Sequence, residues 1–115
     1  MSKYKIVYSP AAYADLDNIV SYIIDHFKDR RAAKNLSDAI RSKVRSLDDM
    51  PERFARVEWD PWASMNMHKL PVKNYIVFYL VDNDQNIVTV TRIFYGGQDI
   101  ENIIKNSELN DYYAD

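Results

Sequence analysis

The residue best suited to acid–base chemistry is His68, which stands beside Lys69 in a stretch of strand-like sequence. An imidazole titrates near neutral pH, so His68 is a candidate general base. A lone histidine is more often a surface residue or one fixed by a hydrogen bond, and that interpretation stays open. The second histidine, His26, lies near the end of a predicted helix, where the helix dipole favours a cation.

A second candidate group surrounds Arg92, which precedes Tyr95 and the Gly96-Gly97 pair at the end of a predicted strand. Side chains at strand ends beside glycine turns tend to converge on clefts, so Arg92 and Tyr95 are candidate site residues. The alternative for Arg92 is a pair with a carboxylate on the exposed face of the sheet. Gln98 is either a hydrogen-bonding contact or a plain turn residue.

Several classes of site are excluded by the motifs that the chain lacks. It contains no phosphate-binding glycine loop, no dinucleotide fingerprint and no paired histidines spaced for zinc. The absence of cysteine excludes disulfides, cysteine catalysis and thiolate metal sites. Two histidines are too few for a zinc site without several carboxylates. We therefore expect no metal and no cofactor.

Charge is unevenly distributed along the chain. The formal net charge is −2, whereas proteins that bind nucleic acid usually carry a basic excess. Residues 28–56 nevertheless hold nine Lys/Arg against five Asp/Glu, and residues 99–115 hold one Lys against five acids. The basic run from Arg30 to Arg45 indicates either a solvated helix face or a surface for an acidic partner.

The cellular compartment is predicted from what the sequence lacks. No apolar run approaches the roughly 20 residues that a membrane-spanning helix needs. The N-terminal residues lack the apolar core of a signal peptide. We therefore expect a cytoplasmic protein with no membrane partner.

Two helices are predicted in the first half of the chain. Residues 4–8 alternate like a strand, and Ser9-Pro10 then starts a helix, because serine is a good N-cap and proline a good first helical residue. Apolar residues at spacings of three and four form one stripe that ends at Phe27. A second helix follows Asp29 and ends at or before Met50, because the next residue is proline. The short break makes the helices an antiparallel hairpin.

Strands dominate the second half. Residues 67–71 predict an edge strand, because proline has no N–H to donate to a neighbour. The β-prone runs at 75–81 and 87–95 predict a central strand and its hairpin partner. A short helix is expected over Ile100–Ile104, with Asp99 as its N-cap.

These elements predict an α+β fold in the order β-α-α-β-β-β. The sheet should be antiparallel-dominated, with the α-helical hairpin packed on one face. The segment 52–66 has no clear period and is predicted to be a loop anchored by Trp59 and Trp62. We expect a single domain at residues 1–105, followed by a polar tail at residues 106–115.

Six segments of the chain together form a recognisable set: SPAA at 9–12, DLDNI at 15–19, LDDMPERF at 47–54, KLPVKNYIVFY at 69–79, TRIFYG at 91–96 and DI at 99–100. These segments resemble those of the toxins of the RelE/ParE superfamily, also called plasmid stabilisation proteins. The resemblance extends over about residues 4–104, and the segments occur in the order found in the family. It implies a RelE/ParE-like fold with the same order of elements.

The resemblance also implies a function. Such proteins are bacterial growth inhibitors, the toxins of type II toxin–antitoxin systems, held inactive by a cognate antitoxin in a hetero-oligomer. In the ParE-like branch the toxin poisons DNA gyrase. In the RelE-like and YoeB-like branch it cleaves mRNA in the ribosomal A site, using basic residues with a tyrosine or histidine.

Individual positions favour the ParE-like branch. The ribonuclease branch typically has an arginine after the strand tyrosine that aligns with Tyr75, where this chain has Ile76. That branch also has an arginine near Gln98, where this chain has none, although Lys69 matches one of its basic residues and Tyr95 lies where a histidine is common. Positioned cations stabilise a phosphoryl transition state, so the depleted basic set predicts gyrase poisoning.

Two alternatives stay open. One is a ribosome-dependent mRNA endoribonuclease, with His68, Lys69, Arg92 and Tyr95 as its catalytic residues. The other is a degenerate member of the family that binds an antitoxin but has lost its toxicity, as the lack of basic residues around Gln98 suggests.

All three hypotheses require the antitoxin to bury an amphipathic segment against this domain. The candidate residues for binding the antitoxin or the target are Lys73, Gln98, Trp59 and Trp62. The tryptophans are included because aromatic residues dominate the binding energy of interfaces. Their alternative role is in the hydrophobic core.

Overall fold

A computed structural model describes the backbone of residues 3–113 and the side chains as far as residue 107. Four strands and three helices follow one another in the order β-α-α-β-β-β-α within this part of the chain. Their bounds are β1 Lys5–Tyr8, α1 Pro10–Phe27, α2 Arg30–Arg45, β2 His68–Val72, β3 Tyr75–Asp82, β4 Ile87–Tyr95 and α3 Ile100–Tyr113. The predicted α+β class is confirmed.

Side chains cap both helices of the hairpin where the sequence predicts. Ser9 Oγ accepts a hydrogen bond from the Ala12 backbone N–H at 3.0 Å. Asp29 Oδ1 accepts one from the Ala32 N–H at 2.9 Å. Each bond satisfies an N–H that has no partner inside its helix. The two caps therefore fix where α1 and α2 begin.

The sheet has the order β1-β4-β3-β2. β1 runs parallel to β4, and the other two pairs are antiparallel. β2 is an edge strand, as predicted, and part of its outer side is covered by the preceding loop. There the Val57 N–H donates to the Met67 carbonyl at 2.8 Å, and the Lys69 N–H donates to the Ala55 carbonyl at 2.9 Å.

A β-bulge interrupts β4. Phe78 pairs with Arg92 and Tyr79 pairs with Val90, so Thr91 is an extra residue with no opposite partner. An extra residue reverses which later side chains face each side of the sheet. Ile93 consequently joins the same core as Val90. The bulge thus determines where the side chains after it point.

Each face of the sheet carries its own hydrophobic core. The helical hairpin covers one face, where Leu16, Ile40, Val77 and Tyr79 are buried together. We call this the hairpin face. The loop before β2 and helix α3 cover the other face, where Trp62 and Ile104 pack with Phe78 of β3.

Helix α3 is longer than the sequence predicts. The predicted end at Ile104 is wrong, because the helix continues to Tyr113. Just beyond Ile104, Lys105 Nζ bonds to Glu101 Oε2 at 2.6 Å, one turn earlier in the helix. The division into a domain at 1–105 and a tail at 106–115 stays a prediction. Among the residues described, no helix is long and apolar enough to cross a membrane.

Candidate functional site

An open groove of about 680 Å³ lies between α1 and the ends of β3 and β4. Its walls include Tyr22 and Phe27 of α1, Tyr75 of β3, Tyr95 of β4 and Gln98 of the following turn. Tyr22 is 52% exposed, Phe27 66% and Tyr95 50%. Large apolar side chains grouped at the surface mark a place where a partner binds. We call this site the aromatic groove.

The aromatic side chains of the groove support one another. Tyr75 and Tyr95 are opposite each other in the sheet, and their rings meet edge to face at 5.7 Å. Tyr22 and Phe27 meet edge to face at 6.2 Å. Burial raises the pKa of Tyr75, and the neighbouring hydroxyls of Tyr95 and Tyr22 raise it further. The Tyr75 phenol therefore stays neutral at physiological pH. The groove presents aromatic faces with hydrogen-bonding tips.

The absence of a side chain at Gly97 leaves room for the Tyr95 ring. A Cβ added at Gly97 would lie 2.5 Å from the Tyr95 ring, closer than real Cβ contacts. The preceding residue, Gly96, donates its N–H to the Asn74 carbonyl at 2.8 Å, which ties the turn to the β2–β3 connection. The glycine pair therefore lets the turn pass close beneath the Tyr95 ring.

An ion pair borders the groove. The Arg92 Nε–H donates to Asp15 Oδ2 at 2.8 Å, and an Arg92 Nη2–H donates to Asp15 Oδ1 at 3.0 Å. The Asp15 carboxylate also accepts the Ile93 backbone N–H at 2.9 Å. β1 pairs with the outer edge of β4 only as far as Val90. Past Val90, Asp15 of α1 bonds to that edge of β4 at the Ile93 N–H. The Arg92 guanidinium lies 4.5 Å from the centre of the Phe94 ring.

The four residues predicted to be catalytic in a ribonuclease lie on two faces of the sheet. Lys69, Phe78 and Arg92 occupy one row across three strands, with Phe78 between the two cations. Phe78 belongs to the core opposite the hairpin face. His68 and Tyr95 are instead in register with Tyr79 and Tyr75, which pack into the core of the hairpin face.

His68 is buried, with 3% of its surface exposed. Its Nδ1 lies 2.8 Å from the Phe54 carbonyl oxygen, a geometry in which the ring N–H donates. Its ring stacks on Tyr79 at 5.2 Å, and the Tyr79 hydroxyl donates to the Pro51 carbonyl at 2.6 Å. Together these bonds attach the segment 51–54 to β2 and β3.

The residues predicted to bind an antitoxin or target are separated in space. Gln98 lines the aromatic groove. Lys73 is exposed in the turn between β2 and β3, where its φ is 54°. Trp62 is buried in the core beneath α3, at 3% exposure, and Trp59 stacks on it at 5.2 Å. Both tryptophans lie away from the groove.

Most residues of the aromatic groove are not predicted from the sequence as site residues. Phe27 was assigned to the apolar stripe of α1, yet it is exposed, because α1 extends past the core at its C-terminal end. Asp15 and Tyr22 were not singled out at all. An aromatic pair near the end of a helix, Tyr22 and Phe27, was the available signal. Among the side chains described, no three His, Asp or Glu residues gather as possible metal ligands.

The family model for the ParE toxin of the type II toxin–antitoxin system parDE matches residues 6–100. The match covers most of the chain, so the chain belongs to this family. It is a type II toxin–antitoxin toxin of the ParE/RelE superfamily. No curated protein matches the chain significantly.

Solved structures share the fold. A chain of the chromosomal ParDE toxin–antitoxin system from P. aeruginosa is 17% identical with a TM-score of 0.66, over 81% of this chain and 96% of that one. For the toxin–antitoxin complex RelBE2 from Mycobacterium tuberculosis the identity is 16% and the TM-score 0.57, over 83% of this chain and 93% of that one. For an E. coli RelE toxin, a double arginine-to-alanine mutant in the free state, the identity is 14% and the TM-score 0.58, over 90% of this chain and 97% of that one.

Proposed function

We propose that this chain inhibits bacterial growth by poisoning DNA gyrase and that an antitoxin silences it by binding in the aromatic groove. The site of action would be the cytoplasm, where gyrase works. The observation that carries the choice of target is the ion pair between Arg92 and Asp15. It bears directly on the competing activity, mRNA cleavage on the ribosome.

Arg92 is poorly placed to stabilise a phosphoryl transition state. Its Nε and Nη2 both bond to one carboxylate, and its guanidinium lies against the Phe94 ring. The two side chains are largely covered, with 26% of Arg92 and 13% of Asp15 exposed. A cation stabilises developing charge when it is preorganised toward that charge. Here the Asp15 carboxylate already neutralises the charge of the Arg92 guanidinium.

The other candidate catalytic groups give little support to cleavage. Lys69 is two strands away from Arg92, or about 10 Å at the usual strand spacing. His68 is buried with its Nδ1 engaged. Tyr95 lies on the face of the sheet opposite Lys69 and Arg92. An acid, a base and a cation must converge within about 3 Å of the reacting atoms. This arrangement favours inhibition through protein binding.

The aromatic groove is a suitable site for an antitoxin. Its volume of about 680 Å³ is large enough to take the apolar side chains of an amphipathic helix. Its half-exposed tyrosines provide large apolar area at low entropic cost, which is typical of binding hot spots. The RelBE2 structure is a toxin–antitoxin complex. We propose a hetero-oligomer of the same kind for this chain.

The test is a pair of reactions with the purified chain. One contains DNA gyrase with relaxed plasmid, and the other contains ribosomes programmed with a labelled mRNA. We expect supercoiling to fall with increasing chain concentration while the mRNA stays intact. Unchanged supercoiling would contradict the proposed target, and cut mRNA would replace it with the ribosome.

A further inference from the structure

We propose that a second surface of this protein, formed by the outer side of α2 and by Tyr13 of α1, binds single-stranded nucleic acid. We call it the basic ridge. It lies apart from the aromatic groove, because Tyr13 and Tyr22 are nine residues apart and point to opposite sides of α1 at 100° per residue. The proposal stands whether or not gyrase is the target.

The ridge is a line of cations along α2. That helix contains six Lys/Arg and one acid, Asp38. Four of the cations, Arg30, Lys34, Arg41 and Arg45, fall on one side of it at the helical repeat, and all four are exposed. The 16 residues from Arg30 to Arg45 span about 22 Å at 1.5 Å per residue step.

Most of this charge is not neutralised within the protein. In the described part of the chain, the only salt bridge on α2 joins Lys34 to Asp38 at 2.7 Å. Arg41 and Arg45 stand four residues apart on the same side, a spacing at which like charges destabilise a helix. A bound polyanion would remove that repulsion, so the local charge complements a phosphate backbone despite the chain's net charge of −2.

An aromatic pair lies beside the cations. Tyr13 is 49% exposed and stacks on Tyr8 of β1, with ring centres 5.2 Å apart and planes inclined by 24°. Burial raises the pKa of the Tyr8 hydroxyl, while the positive charges of Arg41 and Arg45 lower it. In the helical hairpin the first turns of α1, with Tyr13, lie level with the last turns of α2, with Arg41 and Arg45. The exposed Tyr13 ring extends the ridge with a flat apolar face.

The combination of exposed arginines and an exposed aromatic ring distinguishes between the kinds of anionic partner that could bind. Proteins that bind single strands use cations along the backbone and aromatic rings on which bases stack. An acidic peptide would use the arginines but has no planar base for Tyr13. A duplex presents phosphates but keeps its base faces stacked inside. The exposed ring beside the arginines thus favours an unpaired strand.

The test measures binding of the 115-residue chain to a fluorescein-labelled, mixed-sequence 20-nucleotide DNA strand by anisotropy across a salt series. Three or four phosphate contacts predict a log–log salt slope of about −2 to −3. The double variant Arg41→Gln/Arg45→Gln should bind at least about tenfold more weakly, with a slope smaller by about 1.4. Tyr13→Leu should weaken binding at least about fivefold and leave the slope unchanged.

The matched control is Arg56→Gln, which removes an exposed arginine outside α2 that bonds only to Asn66 among the described side chains. It should bind like the unaltered chain, and circular dichroism should show all variants folded. Absence of binding at low salt would overturn the proposal, as would equal binding by the double variant. Displacement of the strand by polyglutamate as readily as by unlabelled DNA, or tighter binding of the duplex, would also overturn it.

Discussion

Asp15 of α1 and Arg92 of β4 are 77 residues apart in the chain and joined by two hydrogen bonds of 2.8 and 3.0 Å. The same carboxylate accepts the backbone N–H of Ile93. The Asp15 side chain therefore neutralises the Arg92 guanidinium and also gives the Ile93 N–H, just after the bulge in β4, a hydrogen-bond acceptor. Ile93, Phe94 and Tyr95 follow Arg92 along β4 and line the aromatic groove, so this contact also positions one wall of the groove.

Replacing Asp15 should destabilise the fold. Asp15→Ala leaves the Arg92 guanidinium and the Ile93 N–H without their acceptor, and we expect a loss of about 2–4 kcal/mol in the free energy of unfolding. Asp15→Asn keeps an oxygen for the Ile93 N–H, so its cost should be about half as large. Urea denaturation measures both.

The control for Asp15 is Asp38→Ala, which removes an equivalent but exposed ion pair on α2. Exposed pairs contribute little, so no clear change in stability is expected. If Asp15→Ala were as stable as Asp38→Ala, Asp15 would not hold Arg92 in the way described.

The aromatic groove should be required for antitoxin binding but not for folding. Tyr95→Ser and Tyr22→Ser each remove a half-exposed ring, so stability should change little, whereas affinity for the antitoxin should fall at least about tenfold. Isothermal titration with the cognate antitoxin measures the affinity. Tyr13→Ser is the matched control, since its ring is equally exposed on the other side of α1. Equal losses for all three variants would locate the antitoxin elsewhere.

Tyr79 should make stability depend on alkaline pH. Burial raises its pKa to about 12, against about 10 in the unfolded chain. Between these values the unfolded chain ionises first, so stability falls as pH rises. Tyr79→Phe loses the bond to the Pro51 carbonyl and should cost about 1 kcal/mol at neutral pH. By pH 11 that deficit should have disappeared. A constant difference between the two proteins from pH 8 to pH 11 would contradict this.

The two tryptophans should differ in their contribution to stability. Trp62 is buried beside Phe78, so Trp62→Ala should cost about 3–5 kcal/mol. Trp59 is only partly covered, and Trp59→Ala should cost clearly less. Thermal unfolding of both variants measures the difference. A Trp62→Ala protein of normal stability and weak antitoxin binding would instead make Trp62 an interface residue.

Local chemistry made much of the fold predictable. The caps at Ser9 and Asp29 and the strands at 75–82 and 87–95 depend on neighbouring residues, and their predictions are confirmed to within a residue. The edge position of β2 followed from Pro71 alone. The resemblance to a known family then supplied the arrangement of these elements, which the family model and the solved structures confirm.

The candidate site was less predictable because it depends on contacts between distant parts of the chain. The pairing of Asp15 with Arg92 joins two elements that no local rule connects. The extra residue Thr91 reverses the alternation of β4, and nothing in the run IVTVTRIFY marks it. Phe27 continues the apolar stripe of α1 but extends beyond the core, which the helical period cannot reveal.

The gyrase target is tested most directly by pulse labelling in a bacterium that expresses the chain from a tightly controlled promoter, with DNA and protein synthesis followed separately. We expect early loss of DNA synthesis with an SOS response, while protein synthesis continues. Early loss of protein synthesis would contradict the gyrase target and return attention to Lys69, Arg92 and Tyr95. No effect on either would contradict the toxic activity itself.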